Sequence, residues 1–151
     1  QHIFDTPVQV RSWSGTDTTS RVVVIARDTD AKGLQKSLEI LRRDGQYPRL
    51  RDLGDRVAGM IRKALEPTGL PYRIVGDATL FEVVFTAQDP LDYRAVQGAD
   101  AARAKLWNDT LRANGIFKSP GKTYPSLALT EADFEWTDHA IAKAADAVVA
   151  E

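Results

Sequence analysis

Residues 50–65 read LRDLGDRVAGMIRKAL and carry the most regular pattern in the chain. Their apolar side chains recur at intervals of three or four, which is the spacing of one face of an α-helix; they are Leu53, Val57, Met60, Ile61 and Ala64. Pro67 and Gly69 follow, and both residue types interrupt helices. The stretch therefore predicts an amphipathic helix that ends near Leu65.

Three more helices are predicted from the same spacing. The first covers residues 28–45 with Asp28 or Thr29 as its cap, and the second covers 100–114. The third follows Thr130, which together with Asp133 approximates a capping box. The apolar stripes of the three helices are Leu34, Leu38 and Leu41; Ala104, Trp107 and Leu111; and Phe134, Ile141, Ala145 and Val148.

Six short stretches are typical of strands, because they are rich in β-branched and aromatic residues or alternate in polarity. They are residues 8–13, 21–27, 72–75, 79–86, 116–118 and 126–129. Turn-forming residues lie between the members of each pair, at residues 14–17, at Gly76-Asp77 and at Pro120-Gly121. Each pair is therefore expected to form a small antiparallel unit.

The order of these elements after residue 33 is helix, helix, hairpin, helix, two strands, helix. This order indicates an α+β fold and not a repeating βαβ unit. We expect a short antiparallel sheet packed by about four helices over residues 34–151, and a separate N-terminal segment over residues 1–33 that can form a β-hairpin. A chain of 151 residues is long enough to bury a sizeable core.

Composition argues against several classes of function. Lys and Arg total 20 against 21 for Asp and Glu, so there is no strong field to attract nucleic acid. The absence of cysteine excludes a disulfide framework and a thiolate zinc site, and it favours the cytoplasm. His2 and His139 are too few for a metal cluster. No apolar run approaches the ~18 residues of a membrane span, so no membrane partner is expected.

Several phrases, taken in order, resemble the C-terminal small domain of class III pyridoxal-phosphate aminotransferases, with glutamate-1-semialdehyde 2,1-aminomutase as the nearest namesake. The phrases are LEIL at 38–41, YPRL at 47–50, LGDRV at 53–57, GLP at 69–71, NGI at 114–116 and YPSLALTEAD at 124–133. The resemblance covers residues 34–151, whereas residues 1–33 contain no phrase of the family. It implies the small domain of a fold-type I transferase.

The same resemblance implies a PLP-dependent enzyme that moves an amino group on an amino-acid-like or aldehyde substrate and works as a homodimer. Two departures favour a variant aminotransferase over a true aminomutase. The segment between Pro120 and Ser126 is shorter than in aminomutases and lacks their acidic residue, and Leu129 stands where a histidine is common. Because the sequence begins at Gln1 and its one methionine is Met60, we expect a processed form or a part of a longer protein.

Amino transfer through PLP needs a lysine that forms the internal aldimine. By resemblance, this lysine precedes a glycine-rich stretch in the large domain. None of the seven lysines has that context; they are Lys32, Lys36, Lys63, Lys105, Lys118, Lys122 and Lys143. Lys32 is followed by Gly33 and Leu34, but Gln35 stands where a glycine is expected, so we interpret Lys32 as a solvated helix lysine. No catalytic residue is assigned, and the chain alone is expected to be inactive and to bind no cofactor.

Lys118, Lys122 and Tyr124 are the candidate substrate-binding residues. The resemblance implies that the loop between the last two strands approaches the mouth of the active site, where a cation can hold a carboxylate and a tyrosine can orient it. The alternative is that both lysines are exposed turn charges and that Tyr124 packs at the sheet edge. Trp13, Trp107 and Trp136 are interpreted as core or interface anchors.

Two functions are therefore carried forward. In the first, this chain supplies a small domain that needs a large domain, or a dimer partner, to act on a small-molecule substrate. In the second, it is a noncatalytic binding or assembly module whose N-terminal hairpin covers the apolar surface that a large domain would otherwise cover.

Overall fold

The computed structural model describes residues 2–11, 17–26, 35–36, 38–40 and 42–150. The chain divides into two compact units, Gln1–Asp44 and Gly45–Glu151. In the first unit, β1 (His2–Arg11) pairs with β2 (Asp17–Ala26) in an antiparallel ladder that sets His2 opposite Ala26. The strands predicted at 8–13 and 21–27 thus belong to a longer pair, and predicted turn residues 14–16 lie outside the described residues.

The helix predicted over residues 28–45 falls largely outside the described residues. Residues 35–36 and 38–40 are helical, and Leu38 is 38% exposed. Leu34 and Leu41 of the predicted apolar stripe are not described. The prediction that the aminotransferase-like domain begins at residue 34 concerns sequence resemblance and stays a prediction, whereas the division between the structural units follows Asp44.

The second unit contains four α-helices, one 3₁₀ turn and a two-stranded sheet. Its elements are α1 (Gln46–Leu65), the 3₁₀ turn (Glu66–Thr68), β3 (Arg73–Asp77), β4 (Leu80–Val84), α2 (Tyr93–Gln97), α3 (Ala101–Ala113) and α4 (Glu131–Val149). The predicted α+β fold and the helices that correspond to α1, α3 and α4 are confirmed. Pro67 lies in the 3₁₀ turn, and Gly69 ends it at a φ of 70°.

The core of this unit lies where α4 packs against α1 and α3. Trp107 on α3 is 2% exposed and meets Phe85 edge to face at 6.0 Å between ring centroids. The predicted stripe of α4 is buried in full, because its period of three to four residues keeps one side of the helix against the other elements. The fully buried members of the core include Leu65, Trp107, Phe134, Ala144 and Val148.

The turn between β3 and β4 lies two residues later than predicted. Asp77 pairs with Leu80, so Ala78 and Thr79 form the loop, and Gly76 belongs to β3. Asp77 stabilises this loop because its carboxylate accepts hydrogen bonds from Thr79 N and Oγ1, both at 3.0 Å. Gly76 has a φ of 124°, and a Cβ there would overlap the carbonyl oxygen of Leu80, so the glycine serves a close strand contact and not the turn.

Two further predictions were wrong. Residues 116–118 and 126–129 are not strands; the chain reverses at Ser119 and Lys122, and Thr123 pairs with Phe81 instead. The short helix α2 was predicted as an irregular polar connection, but Asp92 caps it by accepting a hydrogen bond from Ala95 N at 2.8 Å. Both errors arise because side-chain caps and cross-chain pairing overrode weak local patterns.

Candidate functional site

Residues 116–125, which we call the 116–125 loop, connect α3 to the segment that leads into α4. The loop turns sharply at Pro120-Gly121, where Lys122 N donates to the carbonyl oxygen of Ser119 at 3.2 Å. Thr123 then exchanges two backbone hydrogen bonds with Phe81 of β4, at 2.7 and 3.2 Å. The loop is therefore held against β4, with Lys118 before the turn, Lys122 at its end and Tyr124 just beyond it.

Lys118 is half-buried, and its ammonium group bonds within the chain. Its Nζ donates to Asn108 Oδ1 at 2.5 Å, to the carbonyl oxygen of Ser119 at 2.9 Å and to that of Pro120 at 3.3 Å. Three partners account for the three hydrogens of an ammonium group. Burial lowers the pKa of Lys118, while the nearby carboxylate of Glu82 opposes that shift. In this arrangement Lys118 stabilises the loop.

Lys122 and Tyr124 are more accessible than Lys118. Lys122 is exposed, and Tyr124 is 59% exposed. Burial of the Glu82 side chain on β4 raises the pKa of its carboxyl group, and the positive charges of Lys118 and Lys122 counteract that rise. The structure thus places the two lysines around Glu82, while the role of Lys118, Lys122 and Tyr124 in substrate binding stays a prediction.

A cleft with a volume of about 270 Å³ opens beside the 116–125 loop. We call it the aromatic cleft, because three exposed aromatic rings line it. Phe117 is 98% exposed and Trp136 on α4 is 61% exposed, and Tyr124 completes the set. The other residues of its wall are Val57, Gly115, Ile116, Lys118, Thr123, Pro125, Leu129, Asp133 and Thr137. Lys118 and Tyr124 therefore share one cleft, whereas Lys122 does not line it.

Sequence reasoning missed Phe117 and the cleft position of Trp136. Phe117 was predicted to lie in a strand, where an aromatic residue is ordinary. Trp136 was interpreted as a core or interface anchor, but only Trp107 is in the core, and Trp13 lies outside the described residues. The one available signal was that Trp136 follows Phe134 by two positions on α4, so the two side chains cannot share a helix face.

Trp136 is held in place by the end of α3. Its Nε1 donates a hydrogen bond to the carbonyl oxygen of Asn114 at 2.8 Å. Its indole ring also lies over Gly115, which has a φ of 86°, and a Cβ at this glycine would be 3.0 Å from Trp136 Nε1. One wall of the aromatic cleft is thus tied to the C-terminus of α3.

The described lysines do not fit the role of an aldimine lysine. Lys63 and Lys105 are strongly exposed and pair with Asp138 and Asp109. Lys36, Lys122 and Lys143 are exposed, and Lys118 has its three partners. Lys32 lies outside the described residues. The part of the chain that the structure describes therefore offers no cradle for PLP, and we derive no chemical step through that cofactor.

Metal and membrane features were also sought. Within the described residues there is no group of three His, Asp or Glu side chains that could hold a metal ion. His139 is exposed on α4, as expected for a surface histidine. Of the helices that are described, none is long and apolar enough to cross a membrane.

Comparison with known proteins shows where these features occur together. No protein-family model matches the chain. It is 33% identical over 108 residues to a glutamate-1-semialdehyde 2,1-aminomutase of Propionibacterium freudenreichii subsp. freudenreichii, covering 69% of this chain and 24% of that protein. It is 28% identical over 113 residues to the enzyme of that name from Methanopyrus kandleri, covering 73% and 26%. The chain thus spans about a quarter of the length of these curated relatives.

A solved structure described as a transaminase with PLP bound gives the same result. It aligns with 73% of this chain and 25% of its own length, at a TM-score of 0.58 and 29% identity. The second unit has the fold of a transaminase small domain. The predicted resemblance to a portion of the aminomutases and PLP transaminases is therefore confirmed.

Proposed function

We propose that this chain is the small-domain part of a class III PLP-dependent aminotransferase that transfers an amino group to or from an amino-acid-like or aldehyde substrate. The observation that carries the proposal is the small-domain fold together with an ordered loop that bears Lys122 and Tyr124 in accessible positions. In this proposal, the lysine that anchors the cofactor comes from outside this chain.

The geometry favours a division of labour within the 116–125 loop. Lys118 has its hydrogens committed to Asn108 and to two loop carbonyl groups, so it positions the loop. Tyr124 has an accessible hydroxyl group, which can orient a substrate by hydrogen bonding. Lys122 has an exposed ammonium group, which can attract a substrate carboxylate. We also propose a cytoplasmic homodimer with active sites near the subunit interface.

A cofactor titration tests whether this chain needs an outside lysine. The purified 151-residue chain is titrated with PLP and followed by the absorbance of an aldimine. We expect no stoichiometric aldimine band. A stoichiometric band that one Lys→Ala change abolishes would contradict the proposal, and Lys118→Ala, Lys122→Ala and Lys32→Ala are the variants to compare.

The coding DNA upstream of Gln1 provides a second test. An in-frame large domain with a lysine before a glycine-rich stretch, or a neighbouring gene that encodes one, would support the proposal. In the second case, co-expression should yield a complex with transaminase activity, and Tyr124→Phe should lower that activity without dissociating the complex. The absence of both arrangements would count against it.

A noncatalytic binding or assembly module is the second candidate. It is favoured by the N-terminal unit, where β1 and β2 form a ladder of ten residue pairs in a region without any phrase of the aminotransferases. Such a module should associate through that unit. Sedimentation of the whole chain and of a variant without residues 1–33 would distinguish the candidates, because only the module should lose its self-association.

A further inference from the structure

The aromatic cleft is built as a place for a ligand. Phe117, Tyr124 and Trp136 are 98%, 59% and 61% exposed and line one concavity. Aromatic rings carry large apolar areas, so their exposure around one cleft is costly unless something covers them. Trp136 is fixed by its hydrogen bond to Asn114, and Thr123, next to Tyr124, is fixed by its pairing with Phe81. Much of the cleft wall is thus anchored before any ligand arrives.

The charged groups in the wall are already paired inside the chain. Lys118 uses its three hydrogens on Asn108, Ser119 and Pro120. The Asp133 carboxylate accepts hydrogen bonds from the Thr130 backbone N–H at 2.8 Å and from its hydroxyl group at 2.7 Å. A charged ligand would lose water and gain no free partner of opposite charge here. Charge complementarity therefore favours a neutral ligand.

The size of the cleft limits the ligand further. An apolar cavity of about 150 Å³ is large enough for benzene. The aromatic cleft has a volume of about 270 Å³, so one six-membered aromatic ring with a short substituent fits it. Rings interact favourably with other rings in offset or edge-on contacts, beyond the area that they bury.

We infer that the aromatic cleft is a binding site for the neutral aryl group of a small molecule, held by contact with Phe117, Tyr124 and Trp136. This inference goes beyond the proposed aminotransferase function. It concerns residues of this chain alone, and it requires neither PLP nor an outside lysine.

Four related probes test the inference by ¹H–¹⁵N NMR of the whole chain. Phenylacetamide carries a neutral aryl group, phenylacetate an anion, benzyltrimethylammonium a cation, and acetamide lacks the ring. Phenylacetamide should shift the signals of residues 115–118, 123–124 and 136–137 in a saturable way, including the Trp136 indole N–H. The two charged probes should bind more weakly, and acetamide should cause no saturable shift.

Two variants locate the site. Phe117→Ala and Tyr124→Ala should each weaken phenylacetamide binding by about twofold to tenfold, which is the usual effect of one aromatic contact. Both side chains are exposed, so the variants should keep the circular dichroism spectrum of the parent chain. Leu91→Ala is the matched control, because Leu91 is 79% exposed but does not line the cleft. It should leave the affinity unchanged.

Three outcomes would overturn the inference. The first is no saturable shift with phenylacetamide, or shifts that Phe117→Ala and Tyr124→Ala do not reduce. The second is tighter binding of phenylacetate, which would make the cleft an anion site. The third is a dimer of the chain that Phe117→Ala dissociates, which would assign the cleft to a second copy. None of these outcomes bears on the upstream lysine, so the proposed function would fail or survive separately.

Discussion

Gly54 on α1 allows the helix to approach the β3–β4 loop closely. A Cβ at this position would overlap the carbonyl oxygen of Ala78 and lie 3.1 Å from Pro125 Cγ. Because a backbone atom has little freedom to move, we expect Gly54→Ala to lower the free energy of unfolding by roughly 1–3 kcal/mol. Urea unfolding followed by circular dichroism measures this change.

Gly59 on the same helix is the matched control. Nothing lies within 4 Å of the position that its Cβ would take. Alanine is the better helix former, so Gly59→Ala should raise the free energy of unfolding by about 0.5–1 kcal/mol. Equal effects of the two substitutions would show that helix propensity, and not the contact with Ala78, governs position 54.

Glu82 should make stability depend on pH. Burial raises the pKa of its carboxyl group, so the folded state binds this proton more tightly than the unfolded state does. The resulting loss of stability is complete above the folded pKa and disappears below the unfolded pKa. Glu82→Gln should therefore stabilise the domain near pH 7, and the gain should shrink as the pH falls through the raised pKa.

Urea midpoints measured between pH 3.5 and 8 test this expectation. Glu135→Gln on the exposed side of α4 is the control, and it should show no comparable pH-dependent gain. If Glu82→Gln destabilises the protein near pH 7, attraction to Lys118 and Lys122 outweighs the cost of burying the carboxylate, and the expectation is wrong.

At the scale of elements, α4 depends on its N-terminal cap. Thr130 Oγ1 accepts a hydrogen bond from Asp133 N at 3.4 Å, and the Asp133 carboxylate accepts one from Thr130 N at 2.8 Å. Removing the cap leaves backbone N–H groups without a protein partner. Thr130→Ala should therefore lower the free energy of unfolding by about 1 kcal/mol. Thr130→Ser keeps the hydroxyl group and should lie close to the parent protein.

The start of α4 is also where α1 and α4 meet. Arg56 donates two hydrogen bonds to the Glu131 carboxylate, at 2.7 and 2.5 Å, and its guanidinium carbon lies 3.8 Å from the centroid of the Phe134 ring. The contact sets the crossing of two helices that the aromatic cleft uses through Val57 and Trp136. A loss of the cap should therefore also weaken ligand binding in the cleft.

For the whole molecule, the second unit should fold by itself. Its core cluster draws only on residues 53–148 of the described chain, and the division between the units follows Asp44. We expect a protein of residues 45–151 to unfold cooperatively, with a urea midpoint close to that of the second unit in the whole chain. Fluorescence of buried Trp107 and circular dichroism measure this. A fragment that is unfolded or aggregated would contradict the expectation.

The sequence by itself determined the helices and the fold class of this protein. The spacing of Leu53, Val57 and Ile61, and the cap formed by Thr130 and Asp133, act within a few residues, so local patterns suffice to predict α1 and α4. The order of these elements then indicated α+β. The phrases within residues 34–151 identified the relatives for the same reason, since they record local caps and core positions.

Only the tertiary structure decided the candidate site. Thr123 pairs with β4 and not with residues 116–118, and this pairing places Tyr124 beside Phe117. Trp136 joins them from α4, held by a carbonyl group at the end of α3. Lys118, an apparent substrate cation in the sequence, is occupied by Asn108 from α3. These contacts join residues from separate elements, and their energies depend on distances that no local pattern of side chains specifies.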